Sequence, residues 1–267
     1  MRVSNPYQIT EPAVISFSGG RTSAFMLHKI LETHRGSLPE DVEVVFANTG
    51  KEMPATLDFV EACAKNWGIE IVWLQYGGRT KKPNSKNFSY KYDVVTYATA
   101  ARNGEPFALA ISDAGSLPNS VLRWCTGQLK VRTIHRYAID HGFEEPYLTV
   151  IGIRADEQSR ARKLHKKLVE KQDNYCPMVE AGHTKKHVDD FWSSQNFDLA
   201  LPSIGGVTAL GNCDLCFLKG RKKRLSIIRE KPDLADWWSA QEELQNDQFD
   251  RASPSYMQMK VIAKDQG

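Results

Sequence analysis

The chain lacks the features of a membrane or exported protein. No apolar run among its 267 residues is long enough to cross a bilayer, and the first ten residues, MRVSNPYQIT, contain no apolar core of a signal peptide. We therefore expect a cytoplasmic protein without a membrane partner. The net charge of +3 is too small to imply a nucleic-acid partner by itself.

Cysteine is also scarce, with five residues in the chain. A reducing cytoplasm would keep these thiols out of disulfides, so we expect ligands, catalysts or core residues. Cys63 is spaced from its apolar neighbours as a core residue would be. Cys213 and Cys216 form a CxxC motif, which suits a metal centre or a redox dithiol. The other two cysteines are Cys125 and Cys176.

The segment VISFSGGRTSAFMLHKIL, residues 14–31, predicts a buried strand, a short turn and an amphipathic helix. The turn combines glycine, hydroxyl and arginine residues: Ser18, Gly19, Gly20, Arg21, Thr22 and Ser23. The N–H groups and dipole of the helix N-terminus attract anions, so the turn predicts a phosphate site; an ordinary strand–helix turn is the alternative. At Gly20, a branched side chain would fill the phosphate space and penalise a positive φ.

Strands and helices continue to alternate beyond this turn, which predicts a mostly parallel sheet. Further strands are predicted at residues 42–47, 69–75 and 147–153. Asn48, Thr49 and Gly50 follow the second strand, at the edge where open α/β sheets bind ligands. Residues 90–101 are predicted to form a helix, and residues 103–120 a long loop.

Four segments occur in a specific order across residues 14–160: SFSGGRTS, FANTGKE, RWCTGQLK and IGIRADEQSR. They resemble the phosphoadenosine phosphosulfate (PAPS) reductase branch of the PP-loop ATP pyrophosphatases. The resemblance implies a Rossmann-like α/β domain of the adenine nucleotide alpha hydrolase type over residues 1–153. It also implies a mainly helical C-terminal extension over residues 154–267, which carries the CxxC motif.

The same resemblance implies that the loop and the turn at residues 48–50 bind ATP with Mg²⁺. Many PP-loop enzymes have aspartate at the position of Thr22, so a direct magnesium contact from this residue is not implied. Arg154 and Arg160 would bind the anionic end of the substrate as forked donors, with surface ion pairing as the alternative. Catalytic roles are implied for Arg21, Arg154 and Lys130.

The segment CTGQLK resembles the cluster segment of iron–sulfur adenylylsulfate reductases, in which a CxxC motif follows later in the chain. This implies a 4Fe-4S cluster held by Cys125, Cys213 and Cys216. Those reductases have two adjacent cysteines where this chain has Trp124 and Cys125. Either Cys176 supplies the fourth ligand or one iron has no protein ligand. Zinc bound by the same thiolates is the alternative.

These resemblances imply an ATP-dependent enzyme of sulfur chemistry that adenylates a substrate and uses the cluster to bind or transfer sulfur. No cysteine follows Cys216, whereas thioredoxin-dependent PAPS reductases carry a nucleophilic one in the tail. A reductase of adenylylsulfate or PAPS is the first alternative, and a zinc-stabilised nucleotide-binding partner subunit is the second. The substrate is open between a small molecule and a nucleic acid, which the basic run at residues 219–224 would attract. The identity of the sulfur donor or reductant also stays open, as does whether the protein forms a homodimer.

Three further predictions concern the C-terminal part. Thr184 is expected to cap a helix. His183 and His187 are expected to be solvated or capping, because no third ligand completes a metal-binding spacing. Trp237 and Trp238 are expected to pack helices together.

Overall fold

A computed structural model describes residues 5–164, 172–204, 207–208 and 210–265. Its centre is a six-stranded sheet with the order β4-β3-β2-β1-β5-β6, in which β4 is antiparallel to β3 and the other pairs are parallel. The sheet strands are β1 (Ala13–Phe17), β2 (Val42–Asn48), β3 (Val72–Lys81), β4 (Phe88–Val95), β5 (Tyr147–Ile151) and β6 (Gln172–Tyr175). A short hairpin follows with β7 (Ser203–Ile204) and β8 (Val207–Thr208).

Helices flank the sheet and dominate the C-terminal part. Those before β6 are α1 (Arg21–Thr33), α2 (Pro54–Trp67), α3 (Glu105–Ala114), α4 (Trp124–Thr126), α5 (Thr133–Asp140) and α6 (Gln158–Leu164). Those after β6 are α7 (Pro177–Glu180), α8 (Lys185–Ser193), α9 (Arg221–Glu230), α10 (Leu234–Gln245) and α11 (Tyr256–Asp265). A π-helical turn, Gly127–Arg132, joins α4 to α5. The architecture is therefore the predicted Rossmann-like α/β fold with a helical C-terminal region.

The strand order places the topological switch point between β1 and β5. The chain moves from β1 outward through β2 to β3, and then returns to add β5 and β6 on the other side of β1. In open α/β sheets, ligands bind outside the carboxyl ends of the strands at such a point. The turn after β1 and the turn after β5 are therefore adjacent at the edge that this fold offers to a ligand.

Two secondary-structure predictions are wrong. Residues 88–95 form strand β4 instead of a helix, because Phe88, Tyr90 and Tyr92 alternate with polar residues and a period of two favours a strand. Residues 105–114 form α3 instead of belonging to a long loop. Glycines in the left-handed conformation, Gly104 and Gly115, lie at the two ends of this helix. In the sequence these glycines suggested a loop.

The apolar core has three parts. One lies between the sheet and helices α1, α2 and α8, and it includes Cys63 and Trp192, both nearly inaccessible to solvent. A second lies between the sheet and α5. The third joins α3 to α9, α10 and α11 around Trp238, which is fully buried. Strand β6 and helix α8 pack with the sheet, so the segment after residue 153 contributes to the nucleotide half as well as to the helical part.

The smaller C-terminal predictions are mostly confirmed. Thr184 and His187 form a reciprocal capping box at the start of α8. Trp238 packs between helices, with ring contacts to Phe249 and Tyr256. His183 instead pairs with the hydroxyl of Tyr7 at 2.6 Å. Among the described residues, no helix is long and apolar enough to cross a membrane.

Candidate functional site

The loop after β1 owes its shape to one glycine. Gly19 has a φ of +71°, and a Cβ there would lie 2.8 Å from Cγ2 of Thr56 on α2. Any other residue would therefore meet both backbone strain and a clash. The expectation of a positive φ at Gly20 is wrong, since its φ is −112°. A Cβ at Gly20 would meet only Oγ of Ser18, at 3.8 Å, so this position faces open space at the start of α1.

Hydrogen bonds between hydroxyl and backbone groups close the loop. The backbone N–H of Ser18 donates to Oγ of Ser23 at 3.2 Å, and that hydroxyl donates to the carbonyl of Gly20 at 2.9 Å. The two serine hydroxyls are 2.9 Å apart. Ser23 is buried against Gly152, where a Cβ would come within 3.0 Å of its Cα. Ser23 thus shapes the loop, and Ser18 is exposed at its mouth.

The two arginines of the loop region have different partners. Arg21 donates from Nε to Asp198 Oδ1 at 2.7 Å and forms an ion pair with this exposed carboxylate. Arg154 approaches the loop from β5: its Nη1 is 3.3 Å from Oγ1 of Thr22, and its Nε donates to Asp156 at 2.9 Å. The structure therefore brings Arg154 to the switch point and directs Arg21 toward Asp198.

Arg160 lies farther along the same segment. It donates to Oε1 of Glu157 at 2.5 Å, and its side chain is 62% exposed. The carboxylate of Glu157 also lies 3.4 Å from Nη1 of Arg154. The two predicted substrate arginines thus share one acidic neighbour.

The turn after β2 is more buried than expected. Asn48 is inaccessible, and its amide donates to Gln75 Oε1 at 2.8 Å and to the Ala101 carbonyl at 2.9 Å. Its Oδ1 accepts from the backbone N–H of Gly50 at 3.1 Å. A Cβ on Gly50, with φ +74°, would lie 3.0 Å from the backbone N of Gly104. Asn48 therefore holds the turn in place and offers no free side-chain donor.

Two residues of this turn that the sequence analysis did not single out connect it to the CxxC segment. Glu52 and Cys213 form an antiparallel backbone bridge, and the N–H of Asp214 donates to the carbonyl of Lys51 at 2.8 Å. Nζ of Lys51 lies 2.9 Å from Asp214 Oδ2, and both side chains are less than a tenth exposed. Oδ1 of Asp214 accepts from the indole N–H of Trp238 at 2.7 Å. These bonds attach the CxxC segment to the turn after β2.

Glu52 also connects the turn to the helix of Cys125. Its Oε2 accepts from the N–H and the hydroxyl of Thr49, at 2.9 and 2.8 Å. Its Oε1 is buried, accepts no hydrogen bond from the described residues, and lies 3.7 Å from Nζ of Lys130. Lys130 sits in the π-helical turn that follows α4, and such turns are frequent at functional sites. Oγ1 of Thr49 is 3.7 Å from Sγ of Cys213.

Cys125 and Cys213 are electrostatic neighbours of Lys130, and Cys216 is a neighbour of both of these cysteines. Burial lowers the pKa of this ammonium, but Glu52, Cys213 and Cys125 offset that effect, so the net pKa is raised. Burial raises the pKa of the Cys125 thiol, and the nearby sulfur of Cys216 adds to the rise. The pKa of Cys213 is raised by burial and then by the Glu52 carboxylate. Without a metal, the raised pKa values of Cys125 and Cys213 keep these two thiols neutral at physiological pH.

Cys176 lies in other surroundings, at the end of β6 just before α7. Burial raises its pKa to about 11, an effect that Arg160 opposes and Glu180 reinforces. None of the other cysteines is among these electrostatic neighbours. The structure thus brings Cys125, Cys213 and Cys216 together, whereas Cys176 follows the outer strand β6 and has Arg160 and Glu180 as its charged neighbours.

The three cysteines supply donors that both kinds of metal centre use. Zinc takes four ligands around one atom at about 2.0–2.3 Å, whereas in a 4Fe-4S cluster each thiolate binds a different iron. Within the described residues, no group of three histidine, cysteine, aspartate or glutamate side chains converges on the position of one metal ion. The thiols of Cys125, Cys213 and Cys216 are thus compatible in chemistry with either centre.

The sequence contained a signal for the residues that were missed. Lys51 and Glu52 directly follow a buried strand, and charged residues there require partners. Asp214 lies inside the CxxC motif itself. Their pairing across more than 160 positions carried no local signature.

A family model identifies the group of proteins to which the chain is similar. The family model described as the phosphoadenosine phosphosulfate reductase domain matches residues 12–196. The chain belongs to this family. The match includes the loop, the turn after β2, Cys125 and Arg154, and it ends before the CxxC motif.

Two curated relatives extend the comparison in sequence. The chain is 33% identical over 214 residues to the uncharacterized nin region protein ORF290 of Escherichia phage lambda, covering 79% of this chain and 67% of that protein. It is 26% identical over 241 residues to the uncharacterized protein MJ0066 of Methanocaldococcus jannaschii, covering 88% of this chain and 42% of that protein. The chain thus spans less than half of the archaeal relative.

Three solved structures resemble the fold. A PAPS reductase from Candida auris has a TM-score of 0.40 at 15% identity, covering 71% of this chain and 78% of its own. The NMN synthetase of Francisella tularensis has a TM-score of 0.45 at 13% identity, covering 96% and 84%. The U34-tRNA thiolase NcsA of Methanococcus maripaludis, solved with its [4Fe-4S] cluster, has a TM-score of 0.43 at 13% identity, covering 97% and 73%.

Proposed function

We propose that the protein is an ATP-dependent enzyme of sulfur chemistry, which adenylates an oxygen of its substrate and then replaces that oxygen with sulfur. The observation that supports this proposal is the docking of the CxxC segment on the turn after β2. A phosphate loop alone would serve many reactions, and three thiols alone would serve a structural metal. Their position at one edge of the sheet favours chemistry that uses both.

In the first step, a substrate oxygen would attack the α-phosphorus of ATP, the bond to the β-phosphate would break, and pyrophosphate would leave. Backbone N–H groups around Gly19 and Gly20, together with Mg²⁺, would hold the phosphates. Arg154 would neutralise the developing charge, since it already contacts Thr22. Arg21 would also bind the phosphates once its ion pair with Asp198 is broken. Breaking such an exposed ion pair costs about 0–1 kcal/mol.

The remaining predicted residues would define the rest of the site. Thr49 and Gly50 would lie beside the nucleotide, in a turn that Asn48 keeps in place. Arg160 would bind an anionic group of the substrate by exchanging Glu157 for it. Ser18, at the mouth of the loop, would donate its hydroxyl to a phosphate oxygen.

In the second step, a sulfur nucleophile such as hydrosulfide would form a bond to the activated atom, and AMP would leave with the substrate oxygen. A 4Fe-4S cluster held by Cys125, Cys213 and Cys216 would supply iron that binds sulfur. Lys130, positioned by Glu52, would keep a positive charge near the incoming sulfur. This charge would favour an anionic nucleophile over a neutral thiol.

A reductase of adenylylsulfate or PAPS is the second candidate, and the family match favours it. This activity would release sulfite with electrons from an external thiol. A nucleotide-binding subunit with zinc on the same thiols is the remaining alternative.

Product analysis with α-labelled ATP separates these functions. Anaerobically purified protein with hydrosulfide and candidate acceptors is expected to form AMP and pyrophosphate. Gly20→Val should abolish this product, because its side chain would occupy the space over the loop. ADP and phosphate would contradict the proposal. Sulfite from adenylylsulfate or PAPS would establish the reductase, and zinc without any AMP would support the partner subunit.

A further inference from the structure

A basic hairpin extends from the ligand-binding edge of the sheet. Residues 77–92, called the arm here, contain five lysine or arginine residues and no aspartate or glutamate, whereas the entire chain has a net charge of +3. Strand β3 pairs with β2 from Val72 to Gln75; beyond that point, within the part of the chain that the structure describes, it pairs with β4 alone. The arm therefore leaves the sheet as a two-stranded ribbon.

The direction of the arm follows from the strand order. Strand β3 runs parallel to β2, and Gln75 is level with Asn48 at the carboxyl end of β2. Residues after Gln75 thus continue past the edge where the phosphate loop and the docked CxxC segment lie. At about 3.4 Å per residue, the stretch from Tyr76 to Lys81 extends the ribbon by roughly 20 Å. A ribbon of this length spans several phosphates, because each strand of duplex DNA carries one per about 3.4 Å of helix axis.

The base of the arm is fixed beside the cysteines. Asp113 on α3 accepts from the hydroxyl of Tyr76 at 2.7 Å, and its carbonyl accepts from Nη2 of Arg79 at 2.6 Å. On the other strand, Tyr90 lies under the guanidinium of Arg132, 5.1 Å from ring centroid to Cζ. Arg132 belongs to the π-helical turn that also carries Lys130. The arm is therefore held by the helix that presents Cys125 and Lys130.

The lysines of the arm are available to a ligand. Lys81, Lys82, Lys86 and Lys91 are exposed, and none of the ion pairs in the described residues involves them. Such a concentration of like charge raises repulsion within the hairpin, which an anionic partner would relieve.

The surface chemistry of the arm favours nucleic acid over an acidic protein. Protein interfaces surround a buried apolar centre with a polar rim, whereas interfaces with nucleic acid are more polar and strongly positive. Among the described residues, none of the exposed large hydrophobic side chains lies in the arm. Two more exposed cations, Arg221 and Lys222, occupy the first turn of α9 shortly after Cys216. Cations at this end of a helix oppose its dipole, so nearby phosphates would stabilise them.

We propose that the arm binds the phosphodiester backbone of a nucleic acid and presents one of its nucleotides to the edge that holds the loop and the three cysteines. The claim that this nucleotide is the reaction's substrate rests on the function proposed above. Backbone binding by the arm does not, because it depends on the arm's charges alone. The two claims can therefore fail separately.

Fluorescence anisotropy with labelled single-stranded DNA, duplex DNA and RNA of equal length would test the arm directly, without ATP. In the arm variant, Lys81→Glu, Lys82→Glu and Lys86→Glu are combined. The control variant combines Lys65→Glu, Lys231→Glu and Lys264→Glu, three exposed lysines outside the arm with the same change in net charge. A second arm variant with glutamine at the same positions removes charge without adding repulsion.

We expect the arm variant to bind nucleic acid at least about tenfold more weakly than the parent protein at 50 mM salt. The slope of log affinity against log salt concentration should decrease in magnitude by about two to three. The control should lose less than about threefold, and the glutamine variant should lie between them. Equal losses in both charge-reversal variants, or no binding of any nucleic acid by the parent protein, would overturn the inference. Binding of polyglutamate as tight as that of nucleic acid would also overturn it. ADP formation in the product analysis would overturn the proposed reaction and leave the arm inference standing.

Discussion

The loop after β1 and the CxxC segment reach the same edge of the sheet by different means. The loop is shaped locally: Gly19 turns the chain, and hydrogen bonds between residues at most five positions apart close it. The CxxC segment is placed by a bridge to Glu52 and a buried ion pair from Lys51 to Asp214. One element is thus specified by its own residues, and the other by partners far away in the chain.

This difference explains what holds each half of the site. In the loop, the absence of a side chain is essential, because space beside α2 is already filled. In the CxxC segment, charged side chains are essential, because their burial is tolerable only while they are paired. Substitutions should therefore damage the two elements independently.

Breaking the buried pair should have the largest effect. Asp214→Ala leaves the ammonium of Lys51 buried and unpaired, which is expected to cost about 3–5 kcal/mol of unfolding free energy and to release the cluster. Asp198→Ala removes the exposed partner of Arg21 and should cost at most about 1 kcal/mol. Urea unfolding and iron analysis of both variants provide the measurement. Similar losses in the two variants would show that the Lys51–Asp214 pair does not hold the segment.

Alanine substitutions at the two glycines of the loop form a matched pair, and their expected effect on stability is smaller. Gly19→Ala should lower stability by about 1–3 kcal/mol, because its φ is positive and its Cβ would contact Thr56. Gly20→Ala should leave stability unchanged, since its Cβ meets only a distant hydroxyl. Thermal unfolding measures the contrast, and both variants should keep their iron. Equal destabilisation by the two substitutions would contradict the steric account of the loop.

The two cysteines outside the group of three should affect the cluster least. Cys176→Ala is expected to retain iron, because the thiol has a pKa of about 11 and its electrostatic neighbours are Arg160 and Glu180. Cys63→Ala should also retain iron, at a cost of about 1–2 kcal/mol for a small cavity in the core. Iron per chain and urea unfolding are the readouts. Loss of iron in Cys176→Ala would make this residue the fourth ligand and would exclude an open iron.

The sequence predicted the local elements well because their causes are local. Apolar strands, the SGGRTS turn and the capping residue Thr184 are visible as short patterns, and the structure contains them. The edge of the sheet was harder to predict. The alternation that marks β4 is short and begins at Phe88, before the residues predicted to form a helix.

The site was only partly predictable for the same reason. Cys125, Cys213 and Cys216 could be grouped by resemblance, but their attachment through Lys51, Glu52 and Asp214 depends on the tertiary fold. The structure also changed the expected roles of Asn48, whose amide is fully engaged, and Arg21, which faces Asp198. Partners of buried polar groups are decided by packing, and single residues do not reveal them.

The central claim is that Cys125, Cys213 and Cys216 together hold an iron–sulfur cluster beside the nucleotide loop. Iron, sulfide and zinc analysis with an absorption spectrum, on anaerobically purified parent protein and its Cys125→Ala variant, tests this claim most directly. The account predicts about four irons and four sulfides per chain in the parent, a brown colour, and their loss in the variant. One zinc per chain without iron, or full iron content in Cys125→Ala, would contradict it.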